Sequence, residues 1–162
     1  MKGNVTPVAE FNIYVDPLAA HLVFESNLNI YLLPLDVTNS SILTKNELDQ
    51  INNVQTTVAQ TMHDLLVYLI KTTTASYGTT EPPVHDPCAA FFIVNPKVFE
   101  YKLLRLDVEM NKGSICYGKT VVDFYETLND KPKNVKICLK MNVQEFWSSL
   151  IESFRKARHG SK

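Results

Sequence analysis

The chain has 162 residues, 45% of them apolar, which suits one globular domain rather than a disordered segment. Sixteen Lys and Arg against seventeen Asp and Glu leave a formal charge of -1, so no overall bias draws it to nucleic acid or an anionic membrane. The partner expected from this balance is small, or another protein. No apolar run approaches the roughly 20 residues of a membrane span, and Met1-Lys2-Gly3-Asn4 opens no apolar signal region, so the expected compartment is the cytoplasm. Cys88, Cys116 and Cys138 are an odd set with no C-x-x-C pair, which suggests buried thiols rather than a disulfide framework or a zinc site.

Residues 16–26 read as a short helix, because Asp16 is a good N-cap, Pro17 fits the first helical position, and Ala19, Ala20, Val23 and Phe24 share a face. Leu28 to Leu35 is nearly continuous in apolar residues, the pattern of a central strand covered on both faces. It ends at Asp36-Val37-Thr38, and an open α/β sheet usually places its ligands at such carboxyl ends. Thr44-x-x-Glu47 is a capping box, and Leu48, Ile51, Val54, Val58, Met62, Leu65 and Leu69 recur at helical steps to about Lys71. This is a long amphipathic helix with room for a break. Thr72 to Pro83 has no apolar periodicity and carries Gly78 and two prolines, so it reads as a loop.

In Val84-His85-Asp86-Pro87, Asp86 can cap a helix that starts at Pro87 and runs to about Val94. Leu104–Met110 and Val135–Met141 alternate as half-buried strands, with a further short strand within Tyr117–Asp123. Asn142-x-x-Glu145 is a second capping box, followed by a stripe of Val143, Phe146, Trp147, Leu150, Ile151 and Phe154. Arg155, Lys156 and Arg158 complement that helix end before Gly160. The chain thus ends naturally, whereas Gly3–Ile13 opens on polar groups with no strand before it to anchor them. The expectation is a missing amino-terminal half.

Two groups of residues carry chemistry. Glu10 and Asn12, two apart, would project to one side of an extended segment, and Asn4 could join them across a turn near Pro7. Carboxamides and a carboxylate can bond several sugar hydroxyls, although a solvated loop with an Asx turn explains the same spacing. In the second group, His85 sets an imidazole, a side chain that ordinarily titrates near neutrality, beside Asp86 at a loop-to-helix junction. The plainer alternative there is a helix cap for Asp86 and a structural role for His85. His21 and His63 fall inside helices, and His159 sits in a basic tail.

GNVTPVAEFNIYVDPLAAHLVFES, YLLPLDVT, EPPVHDPCAAFFIV and YGKTVVDF follow one another along the sequence. In that order they resemble segments of the inosine–uridine-preferring nucleoside hydrolases, and the likeness covers essentially the whole chain. The resemblance implies the carboxyl-terminal half of a Rossmann-like α/β fold, an open mixed, mostly parallel sheet flanked by helices. Residues 1–162 would then be one partial domain. It also implies that Asn4, Glu10 and Asn12 hydrogen-bond ribose, that His85 protonates the leaving base, and that Asp86 ligates calcium. A ribonucleoside is the implied substrate, nucleic acid and membrane are not implied partners, and self-association into a homo-oligomer is.

The sequence departs from the family pattern at Leu18, where the family commonly has Glu after Asp-Pro. It also lacks the D-x-D-P-G-x-D-D segment that supplies the other calcium carboxylates and the general base. An enzyme fragment is therefore the first reading. An inactive nucleoside- or ribose-binding pseudoenzyme, or a truncated gene product, is the alternative.

Overall fold

The computed structural model describes residues 3–128 and 130–157. In chain order the elements are α1 (Phe11–Val15), α2 (Pro17–Phe24), β1 (Tyr31–Leu32), α3 (Leu35–Thr38), α4 (Lys45–Asn52), α5 (Thr57–Tyr77), α6 (His85–Val94), β2 (Phe99–Leu104), β3 (Leu106–Val108), β4 (Thr120–Val122), β5 (Val135–Met141) and α7 (Val143–Lys156). The class is α/β with mixed strand pairing, as the sequence predicts. Among the described residues no helix is long and apolar enough to cross a membrane. The chain divides into two compact units, Met1–Val37 with Phe99–Lys140, and Thr38–Val98 with Met141–Lys162.

The first unit holds the strands. Its main sheet has the order β1-β5-β2, with β1 and β5 parallel and Tyr31 opposite Lys136. β3 and β4 form an antiparallel pair, Leu106 opposite Val122. The core is Phe24, Leu104, Leu106, Val108, Val135 and Ile137, with Ile13, Ala20, Ile30, Leu32 and Val122 packed against it. The expected strand over Leu28–Leu35 contracts to Tyr31–Leu32, at the end of the sheet order. Asn27 takes φ +60°, Leu28 is 67% exposed, and Pro34 offers no N–H to continue the ladder.

The expected strand Leu104–Met110 splits at Arg105 into β2 and β3, which belong to different sheets. Asn134 is the physical reason. Its backbone N–H donates to Leu104 O at 3.1 Å, while its carboxamide accepts from Leu106 N (2.8 Å) and donates to Leu106 O (2.9 Å), standing in for a strand partner. The buried Arg105 guanidinium bonds Asp107 and pairs with Glu25 at 2.7 Å. Asn134→Ala would leave the N–H and C=O of a fully buried residue unpartnered, so it is expected to lower unfolding free energy by about 1–3 kcal/mol. An unchanged denaturant midpoint would show that the carboxamide is dispensable.

The second unit is helical, with Leu43, Ile51, Ala59, Cys88, Phe91, Phe146 and Ile151 among its buried side chains. The capping box at Thr44 and Glu47 forms, and the long helix does break. Thr56 caps α5 by accepting from Ala59 N, and its hydroxyl donates to Phe154 O at 3.0 Å. Residues 72–77, expected in a loop, instead continue α5. The hydroxyls of Thr72, Thr73 and Thr74 bond back to carbonyls of the preceding turn, and the helix stops only at Gly78, whose φ of +71° suits glycine.

The stripe on α7 buries Phe146, Trp147, Ile151 and Phe154, and Phe91 of α6 meets Phe146 edge-on at 5.4 Å. The second capping box closes only by half. Asn142 accepts from Glu145 N (3.2 Å), but the Glu145 carboxylate accepts from Asn95 Nδ2 (3.3 Å). Arg155 and Lys156 occupy the last turn as expected, while Arg158, His159 and Gly160 lie outside the described residues. Cys88 and Cys138 are buried and Cys116 is half-buried, all three as free thiols. Burial pushes the Cys88 thiol up.

Candidate functional site

In the first unit, Gly3–Val15 forms a tight turn followed by a five-residue helix, not an extended segment. Ala9 O accepts from Asn4 N (3.1 Å) and Val5 N (3.3 Å), and Thr6 Oγ1 accepts from Ala9 N at 2.9 Å. A side chain at Gly3 would strike Thr6 O and Ala9 backbone within 2.4 Å, so only glycine closes this turn. Two of the predicted sugar ligands cap α1. Asn4 Oδ1 accepts from Phe11 N at 2.9 Å, and Glu10 Oε2 accepts from Ile13 N at 3.2 Å.

Asn12 therefore sits within α1, one turn position after Phe11, rather than beside Glu10 on a strand. It is exposed, and its side chain makes no hydrogen bond among the described residues. The structure thus brings Asn4 and Glu10 together at one helix start and holds each by one oxygen. The remaining amide and carboxylate atoms, with the Asn12 carboxamide, are chemically able to bond hydroxyl groups. Sequence reasoning passed over the support beneath them. Gly118 takes φ +79°, and a Cβ there would lie 3.0 Å from Tyr14 Cα and 3.3 Å from Ala9 Cβ. Tyr117 meets Tyr14 edge-on at 5.6 Å. The Tyr-Gly pair of YGKTVVDF was the available signal.

In the second unit, residues 41–43 hold residues 82–84. Leu43 N donates to Pro82 O (2.9 Å) and Val84 N to Ser41 O (3.1 Å). Ser41 Oγ lies 2.6 Å from Thr38 O and 2.9 Å from Val84 O. This fixes His85 as the first residue of α6, two positions earlier than expected. The N-cap is Val84, with no side-chain bond, so Asp86 is not the cap that its sequence position suggested. Pro87 is tolerated because first-turn N–H groups have no acceptor within the helix.

The His85 ring is half-buried, with Nδ1 at 2.8 Å from the Thr38 hydroxyl. Asp86 is exposed in the first turn, where the helix dipole favours a carboxylate, and makes no hydrogen bond or ion pair among the described residues. It is a hard oxygen donor whose side chain caps nothing and bonds nothing among the described residues. Calcium takes six to eight oxygen ligands, yet among the described residues no three His, Cys, Asp or Glu side chains come together as a metal site. One carboxylate does not fit that ion alone. Leu18 is 58% exposed on α2 and takes no part in the capping of α1.

The sequence pattern of the inosine-uridine preferring nucleoside hydrolases matches residues 1–148, and the chain belongs to that family. It is 33% identical over 157 residues to a probable ribonucleoside hydrolase of Dictyostelium discoideum, covering 93% of this chain and 46% of that protein. It is likewise 33% identical over 153 residues to the pyrimidine-specific ribonucleoside hydrolase RihB of Escherichia coli, covering 94% and 48%. The chain spans about half the length of these curated relatives.

Among solved structures, the purine-preferring ribonucleoside hydrolase from Gardnerella vaginalis superposes with a TM-score of 0.80 at 26% identity, over 97% of this chain and 50% of that one. A plant nucleoside hydrolase gives 0.86 at 22% identity, over 97% and 51%, which is a likeness of fold.

Proposed function

We propose that this chain supplies the sugar-holding and base-protonating residues of a ribonucleoside N-glycosidase, as part of a longer or two-part site. The single observation that carries the reading is Asp86. It is an exposed carboxylate at the start of α6, unused by the fold and adjacent to an oriented imidazole, in a chain of the nucleoside hydrolase family. Asn4, Glu10 and Asn12 would hold the ribose hydroxyls, and Asp86 would contribute one oxygen to a calcium completed by residues outside this set. When bound, such an ion supplies positive charge beside the sugar oxygens. The described residues alone do not make its site.

The reaction breaks the bond between the anomeric carbon and the base nitrogen, and water supplies the oxygen that replaces it. His85 delivers a proton to the departing base. With Nδ1 bonded to Thr38, Nε2 is the nitrogen assigned to that transfer. Activation of the water is assigned to no residue of this chain. The substrate is proposed as a ribonucleoside without a base preference, since one relative is pyrimidine-specific and a structural neighbour purine-preferring by name. A cytoplasmic setting and self-association remain parts of the same proposal.

The test pairs the purified chain with the amino-terminal half of a relative. The 162-residue chain alone is expected to hydrolyse no inosine or uridine, and the pair is expected to hydrolyse one of them. Turnover by the chain alone, lost on calcium chelation, would refute the two-part reading. Tight nucleoside binding with no turnover by the pair would favour a binding module instead.

A further inference from the structure

We propose that Thr38 is a positioning residue for His85: its hydroxyl donates to Nδ1 and keeps the neutral imidazole in the tautomer that carries its proton on Nε2. A short contact between a hydroxyl and a ring nitrogen does not state which group donates. Burial decides it here. Thr38 is only 4% exposed, and among the described residues the ring nitrogen is the one hydrogen-bond partner of its hydroxyl. Were Nδ1–H the donor, the hydroxyl would accept the bond and its own proton would be buried without an acceptor. With the hydroxyl donating, its proton is satisfied and Nδ1 is the acceptor nitrogen. The neutral ring then has its proton on Nε2.

The surrounding backbone keeps this geometry from relaxing. Ser41 donates its N–H to Thr38 O at 3.1 Å, and its hydroxyl lies within bonding distance of both Thr38 O and Val84 O. Val84 N returns a bond to Ser41 O. Ser41, itself fully buried, thus clips the residue carrying the hydroxyl to the residue preceding the imidazole. Resting on the proposed function, this arrangement leaves the resting ring with an Nε2–H that can hydrogen-bond the base. The proton transfer itself runs from the imidazolium, which gives its Nε2 proton to the departing base and is left as neutral imidazole, the Thr38 hydroxyl turning to accept from Nδ1–H.

The experiment reads the ring rather than turnover. Long-range proton–nitrogen correlation on the full chain labelled with ¹⁵N, at a pH where His85 is neutral, is expected to show a protonated Nε2 and an unprotonated Nδ1. Thr38→Val removes the donor at nearly constant shape. It should lower the Nε2–H to Nδ1–H ratio about tenfold, the change expected for one lost hydrogen bond. Thr38→Ser keeps the hydroxyl and should retain the original pattern.

A wild-type ring protonated on Nδ1, or a ratio unchanged in Thr38→Val, overturns the proposal. The wild-type spectrum and Thr38→Ser decide the matter even where Thr38→Val folds poorly. Because the readout needs no substrate, it stands or falls apart from the hydrolase reading.

Discussion

In the chain completed by an amino-terminal half, His85→Ala is expected to slow inosine cleavage by about 10²–10⁴-fold while slowing nitrophenyl riboside cleavage far less. The reason lies in the leaving group. A purine departs poorly as an anion and gains from a proton delivered as the bond breaks, whereas a nitrophenolate leaves without that help. The substitution also has a structural cost, because it deprives the buried Thr38 hydroxyl of Nδ1. That loss, about 1–3 kcal/mol, would act on the folded fraction and so on both substrates equally. The ratio of the two rates therefore separates the roles. Equal loss on both substrates would mean that His85 only braces the start of α6.

The helices were legible in the sequence wherever a local signal fixed them. Asp16 with Pro17 set the start of α2, and Thr44 with Glu47 set that of α4. Thr56, not recognised as a cap, turned the allowance for a break into two helices. The failures came where a distant partner overrode the local pattern. The alternation of Leu104–Met110 is that of one strand, but Asn134, 28 residues beyond Leu106, takes over the Leu106 backbone and sends β3 to another sheet. The threonine-rich stretch after Lys71 lacks apolar periodicity, yet its hydroxyls bond the preceding turn and prolong α5. Pro34 was the one local signal against a full strand over Leu28–Leu35, because it has no N–H to give, but the apolar run on either side of it outweighed that signal.

The candidate residues were legible as chemistry but not as geometry. Asn4, Glu10 and Asn12 were read from their side-chain types and from a family resemblance; the turn expected near Pro7 forms, but the extended segment expected from Glu10 to Asn12 is instead the capped start of α1. An Asx-type cap and a sugar contact draw on the same acceptor oxygens, so spacing could not separate the two. Thr38 was noticed at the carboxyl end of an apolar run, where open sheets place ligands, but not as a partner of His85. Its bond to His85, 47 residues away, is a tertiary fact that no periodicity carries.

Asp86→Ala is expected to fail differently from His85→Ala, and differently again from an ordinary cap mutant. Asp16 accepts from Ala19 N at 2.9 Å as the N-cap of α2, so Asp16→Ala should cost about 1 kcal/mol of stability. Asp86 caps nothing and pairs with nothing among the described residues, so its removal gives up only its interaction with the helix dipole, about 0.3–1 kcal/mol. The fold should hardly register the change. In the completed protein, however, calcium affinity measured by calorimetry should fall, and hydrolysis should fall alike for inosine, uridine and nitrophenyl riboside, because a metal ligand serves the sugar common to all three. The 162-residue chain alone should bind calcium no better than an isolated carboxylate, since one such group cannot replace six to eight oxygens. Tight calcium binding by the chain alone would sink this reading. So would an Asp86→Ala defect confined to one nucleobase, which would place Asp86 at the base rather than beneath the sugar.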